Sequence, residues 1–79
     1  MEIKDLKILF DNGALITATI TNQILDNGYI VIFEAKDKSK KYHISGQRTQ
    51  GEPRVFKTID AATRNAREIG FKNISISLP

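Results

Sequence analysis

The segment from Arg54 to Phe71 constrains the fold more than any other part of the chain. It reads as a short extended lead-in, a capped helix with a clear stop, and the approach to a last strand. Thr58 is an N-cap residue, whose hydroxyl can accept from a backbone N–H that has no partner in the first helical turn. Asp60 falls in that turn, where a negative charge meets the positive end of the helix dipole. Ile59, Ala62, Ala66 and Ile69 are spaced 3, 4 and 3 apart, which sets them on one stripe. The pattern predicts a helix over 59–69. Gly70 then supplies a left-handed stop, and Phe71 folds back against the last turn. Alanines on the stripe let this helix lie close to a sheet.

The rest of the chain reads as strands. Leu6, Ile8 and Phe10 alternate and predict a strand over 4–10, followed by an Asn12-Gly13 hairpin turn. Ile16, Ala18 and Ile20 alternate with Thr17, Thr19 and Thr21, as a sheet with one wet face requires. Asp26-Asn27-Gly28 marks another turn. Tyr29 to Ala35 is apolar at nearly every position, which suits a strand covered on both faces. Lys36 to Lys41 is a polar hairpin tip, and Lys41 to Ser45 a fourth strand with Tyr42 and Ile44 on one side. Gly46 to Pro53 reads as the most mobile loop. Val55 to Lys57 is a brief strand, and Ile74, Ile76 and Leu78 alternate in a closing one.

The expected fold is a single α+β domain over 1–79: an antiparallel sheet of four to six strands with one helix packed on one face, in the order ββββ(β)αβ. Ile16, Ile20, Val31, Phe33, Ile74 and Ile76 are expected to meet the helix stripe.

At 79 residues the chain has room for one small core. It contains no cysteine, which excludes disulfides, thiolate chemistry and cysteine-based zinc sites. No run approaches the ~20 apolar residues of a membrane span, and Met1-Glu-Ile-Lys-Asp5 lacks the layout of a signal peptide. A cytoplasmic protein is the expectation. The net charge of +3 is unevenly spread: residues 1–35 carry −3 and residues 36–72 carry +6. Such polarity suits an anionic partner.

Catalytic chemistry finds few candidates. His43 is the single histidine, and a general base needs an orienting partner and a nucleophile beside it. No nucleophile elbow, phosphate-binding glycine loop or calcium loop is spelled out; Asp11-Asn-Gly and Asp26-Asn-Gly stop short of the ligand series that calcium needs. No catalytic residue, metal ligand, cofactor or small-molecule substrate is assigned, and the expectation is a protein that is not an enzyme.

The basic residues offer more. Between Lys36 and Lys57 lie seven positive side chains against Asp37 and Glu52. Lys38, Lys40, Lys41, His43, Arg48, Arg54 and Lys57 are the candidate nucleic-acid contacts, since tips and loops can follow a phosphate backbone and a two-stranded ribbon fits the major groove. A Lys-rich turn also serves solubility and edge protection. The helix is read as scaffold: Asp60, Arg64 and Glu68 at i, i+4 and i+8 put an acid on each side of Arg64.

From Tyr29 to Gly70 the chain resembles the small N-terminal arm-binding domains of tyrosine-type phage integrases and related three-stranded-sheet DNA-binding modules. The shared features are a strand–hairpin–strand, the aromatic-Lys-Thr step Phe56-Lys57-Thr58, and a helix with an early alanine, Ala62. The resemblance implies a sheet that enters the major groove while the helix braces it; Phe56, Thr58 and Ala62 are structural in that family. Two predicted strands before the module and one after it depart from the pattern. The leading functional expectation is therefore a non-catalytic module that binds nucleic acid, DNA first, through its sheet side and the 36–57 region. The alternative is a protein-interaction or homo-oligomerisation module, with exposed strand edges, Tyr29 and Tyr42 as contacts.

Overall fold

The chain opens on a helix. In a computed structural model that describes residues 1–23, 27–45 and 52–78, α1 spans Ile3–Asp11. This corrects the strand expected over 4–10. The apolar residues there satisfy both periods: Leu6, Ile8 and Phe10 alternate, but Ile3, Leu6 and Phe10 also repeat at helical spacing. The helical stripe prevails. Leu6 is fully buried, Ile3, Leu9 and Phe10 pack against the core, and Ile8 is left 58% exposed.

Asn12-Gly13 is correspondingly a helix stop and not a hairpin turn. Gly13 takes φ +76°; its N–H donates to the Phe10 carbonyl at 3.0 Å, and the Ala14 N–H to the Leu9 carbonyl at 2.9 Å. These crossed bonds satisfy carbonyls left without partners at the end of α1.

Four strands follow. β1 spans Leu15–Gln23, β2 Gly28–Ala35, β3 Lys41–His43 and β4 Ser75–Ile76. The sheet order is β3-β2-β1-β4. β1–β2 and β2–β3 are antiparallel, but β4 runs parallel to β1, pairing Ser75 with Thr19 and Ile76 with Ile20. The sheet is thus mixed, not wholly antiparallel, and the element order is αβββαβ with two helices. The alternation of Ile74, Ile76 and Leu78 is the same for either direction, so it could not indicate which.

A register shift between Leu15 and Thr17 rearranges the expected core. Leu15 and Ala18 are both buried, whereas Ile16 between them is 57% exposed. The extra residue turns Ile16 out of the pleat. Ile20, Val31 and Phe33 are buried as expected and Ile74 packs against them, but Ile76 is 53% exposed at the sheet edge.

The second helix agrees with its sequence signals. α2 spans Ile59–Ile69, the Thr58 hydroxyl accepts from the Ala61 N–H at 3.1 Å, and Gly70 ends it at φ +137°. Ala62, Ala66 and Ile69 are fully buried. α2 lies on β1 and β2, and α1 packs beside it on the same face. Phe71 joins the layers, 4.8 Å from the Phe10 ring and 5.6 Å from Phe33.

Both sheet edges are short. The outer side of β3 is met by Met1, whose carbonyl accepts from the Ser45 N–H at 2.8 Å and whose amine donates to the His43 carbonyl at 3.1 Å. Where β3 leaves β2, the chain returns: Phe56 bridges Tyr29, and Pro53 bridges Ser45. The loop expected to be most mobile falls mostly on 46–51, outside the described residues, as do residues 24–26 of the connection before Asn27. Among the described residues, no helix is long and apolar enough to cross a membrane.

Candidate functional site

Strand alternation sorts the sheet into two faces. Ala18, Ile20, Val31 and Phe33 point at the helices. Thr17, Thr19 and Thr21 point the other way, and pairing sets Glu34, Ile32 and Ile30 beside them on β2 and Lys41 and His43 beyond on β3. Ser75 continues the row opposite Thr19. Among the described residues this second face carries no helix. Its middle sets a row of hydroxyls on β1 beside Ile32, half-buried, and Ile30, buried, on β2, with Glu34 and Lys41 as the charges of the paired rows.

At one corner stands the β2–β3 hairpin. Lys36, Lys38, Lys40 and Lys41 are all exposed. Asp37 organises the tip: the Ser39 N–H and hydroxyl both donate to its Oδ1, at 3.1 and 2.7 Å, and the Lys40 N–H donates to its carbonyl at 2.9 Å. The Ser39 hydroxyl bond, then the Ser39 backbone bond and the Lys40 charge, hold the Asp37 carboxyl below its ordinary value. The root of the hairpin is tied to the end of α1, since the Lys36 N–H donates to the Ala14 carbonyl at 2.8 Å. The lysines therefore project from a turn of defined shape.

The other predicted contacts lie apart from this cluster. Arg54 and Lys57 flank the Phe56–Tyr29 bridge at the opposite end of β2, roughly 20 Å away at about 3.3 Å per residue. Arg54 is half-buried and holds its guanidinium 5.0 Å from the centre of the Phe56 ring, which already uses its cation. Lys57 is exposed just before α2. Arg48 lies outside the described residues. His43 is half-buried, and its Nδ1 is shielded without a hydrogen-bond partner among the described residues.

No family model, curated protein or solved structure matches this chain.

Three features escaped the sequence. Tyr29 and Tyr42, expected as contacts, both pack against the core. Asp60, Arg64 and Glu68 form no ion pair with one another; among the described residues the pairing within 4.0 Å is Lys4 with Glu2, at 3.5 Å. Ile76, expected to meet the helix stripe, is 53% exposed, and Leu78 beyond it is 47% exposed. The signal for them was β4's position at the end of the order, which pattern alone does not supply.

Proposed function

We propose that the chain is a small non-catalytic module that binds the phosphate backbone of nucleic acid with the β2–β3 hairpin and the adjoining helix-free face of the sheet. One observation carries this reading. Four exposed lysines are presented on an ordered hairpin whose tip carboxylate, Asp37, is engaged by Ser39, at the corner of a face that carries a row of Thr and Ser hydroxyls. Lysines neutralise phosphates and hydroxyls donate to them, and such contacts position a nucleic acid without reading its sequence. Lys41 and His43 connect the hairpin to the face, because they lie two residues apart on its outermost strand. Arg54 is an aromatic-stacked residue that contributes little to this surface, and Lys57 lies at its far end.

The test is fluorescence anisotropy with labelled DNA and RNA, single- and double-stranded, over a salt series. Contacts to about three phosphates predict a logarithmic salt slope of about −3, and so roughly a 50-fold loss between 50 and 200 mM salt. Charge reversal at Lys38 and Lys40 together lowers affinity for every sequence alike and flattens that slope. Absence of binding at 20 mM salt, or binding indifferent to salt, sinks the proposal.

A further inference from the structure

We infer that the outer edge of β4 is a docking site for an extended, acidic segment of a partner protein, which adds to the sheet as a fifth strand. This site lies at the opposite edge of the sheet from the hairpin, with its groove on the helix side of β4, and stands or falls independently of the nucleic-acid reading.

Among the described residues no strand pairs with the outer side of β4. The Ser77 N–H donates inward to the Ile20 carbonyl at 2.8 Å. Backbone groups alternate in direction along a strand, so the N–H and C=O of Ile76 point away from β1. At the other side of the sheet Met1 already bonds to Ser45, so among the described residues β4 is the edge that offers its backbone. Open edges of this kind are used for strand addition, where the main chain supplies affinity and alternate side chains supply choice.

The side chains define what fits. Ile76 and Leu78 share a side, and both are about half exposed. Between β4 and α2 runs a groove lined by Thr63, Arg67, Lys72, Asn73 and Ile76. Among the described residues its lining holds two cations and no carboxylate; Asp60 lies a turn upstream on α2, beyond the lining. Arg67 and Lys72 are exposed and make no ion pair among the described residues. An incoming strand would lay alternate residues toward this groove, where an apolar side chain meets Ile76 or Leu78 and an acidic one meets Arg67 or Lys72. A second copy of the chain is a poor occupant, because a two-fold pairing brings the same cations together from both sides.

The probes are the octapeptide Thr-Val-Thr-Glu-Thr-Val-Thr-Glu, its counterpart with lysine for glutamate, and two copies N-methylated at alternate amides, odd or even. Binding is followed by amide chemical shifts of the folded protein. The glutamate peptide is expected to move the signals of Ser75 to Leu78 together with Thr63 and Arg67. The lysine peptide binds at least about fivefold more weakly, as one exposed ion pair is worth. One of the two methylated copies loses binding. The double variant R67E/K72E, altered only at exposed positions, keeps its spectrum elsewhere and weakens the glutamate peptide about tenfold or more. No shift at millimolar peptide, equal binding of both charges, shifts confined to another surface, or a dimer that shields the Ile76 amide would each overturn the proposal.

Discussion

The ring of Phe10 lies directly on the bare Cα of Gly70: a Cβ at that glycine would sit 2.5 Å from Phe10 Cε1. Gly70 also holds φ +137°. One residue thus stops α2 and provides the surface on which α1 rests. The Gly70→Ala variant meets backbone strain and a displaced ring together, and should lose about 2 kcal/mol or more of stability in urea unfolding. In a Phe10→Ala background the penalty should fall by at least about 0.5 kcal/mol, because the two sites are in contact. Strict additivity would separate the glycine's role from α1.

Leu6 and Ile8 distinguish a helix from a strand at the start of the chain. Leu6→Ala should cost about 2–5 kcal/mol, as loss of a buried leucine does. Ile8→Lys should stay within about 0.5 kcal/mol, since Ile8 faces water. A strand would put both side chains on one face and make both changes costly. Denaturant unfolding of the two variants decides between them.

Gly28 is constrained by crowding and not by its backbone angles. A Cβ there would press on the Val55 side chain and come within 2.8 Å of the Phe56 carbonyl oxygen. That oxygen accepts from the Tyr29 N–H at 2.8 Å, and the Phe56 N–H returns a bond to Tyr29 at 2.7 Å. Gly28→Ala should cost about 1–3 kcal/mol, the usual consequence of overpacking. It should also speed hydrogen exchange at the Tyr29 and Phe56 amides before it affects β1. Unchanged exchange at both would show that the segment before α2 is held by other contacts.

The hairpin tip has an acid limit. The Asp37 carboxyl is held below its ordinary value by bonds that exist only in the folded turn. Its contribution is therefore complete above the unfolded value of about 3.9 and is lost as pH falls through the lower folded value. Carbon-detected titration should find the Asp37 midpoint below the ordinary value, and Ser39→Ala should move it upward. In the same acid range the Ser39 amide signal should shift as its acceptor protonates. An ordinary midpoint that Ser39→Ala leaves unchanged would contradict the turn described here.

What could be read in advance was the part in which local signals agree. At Thr58, Ala62, Ala66 and Gly70, cap, periodicity and stop point to the same helix, and the chain obeys them. In α1 two periods compete over the same residues, and tertiary packing decides in favour of Leu6 and Phe10. Asn12-Gly13 is a turn signal in either context; positive φ suits a helix stop as well as a hairpin. The Ile16 bulge has no local signature, because one extra residue in a strand of alternating Ile and Thr leaves the composition unchanged. For the candidate surface, the lysines of the hairpin were legible because a turn must be exposed. Arg54 was not, since its stacking on Phe56 depends on how the chain returns after β3. Whether an edge is open is a property of the assembled sheet, so Ile76 and Leu78 could not be distinguished from core residues by their pattern.

The parallel pairing of β4 with β1 also sets an order of events. Thr19 and Ser75 are neighbours in space, but most of the chain lies between them. The β1–β2 pairing forms across a short connection, whereas this contact must wait for a long loop to close. β4 should therefore be added last during refolding and released first under mild denaturant. Its amides should exchange through local opening while those of β1 and β2 remain protected. The last strand is then a reversible latch, and whatever completes the sheet beside it would also determine how often it opens.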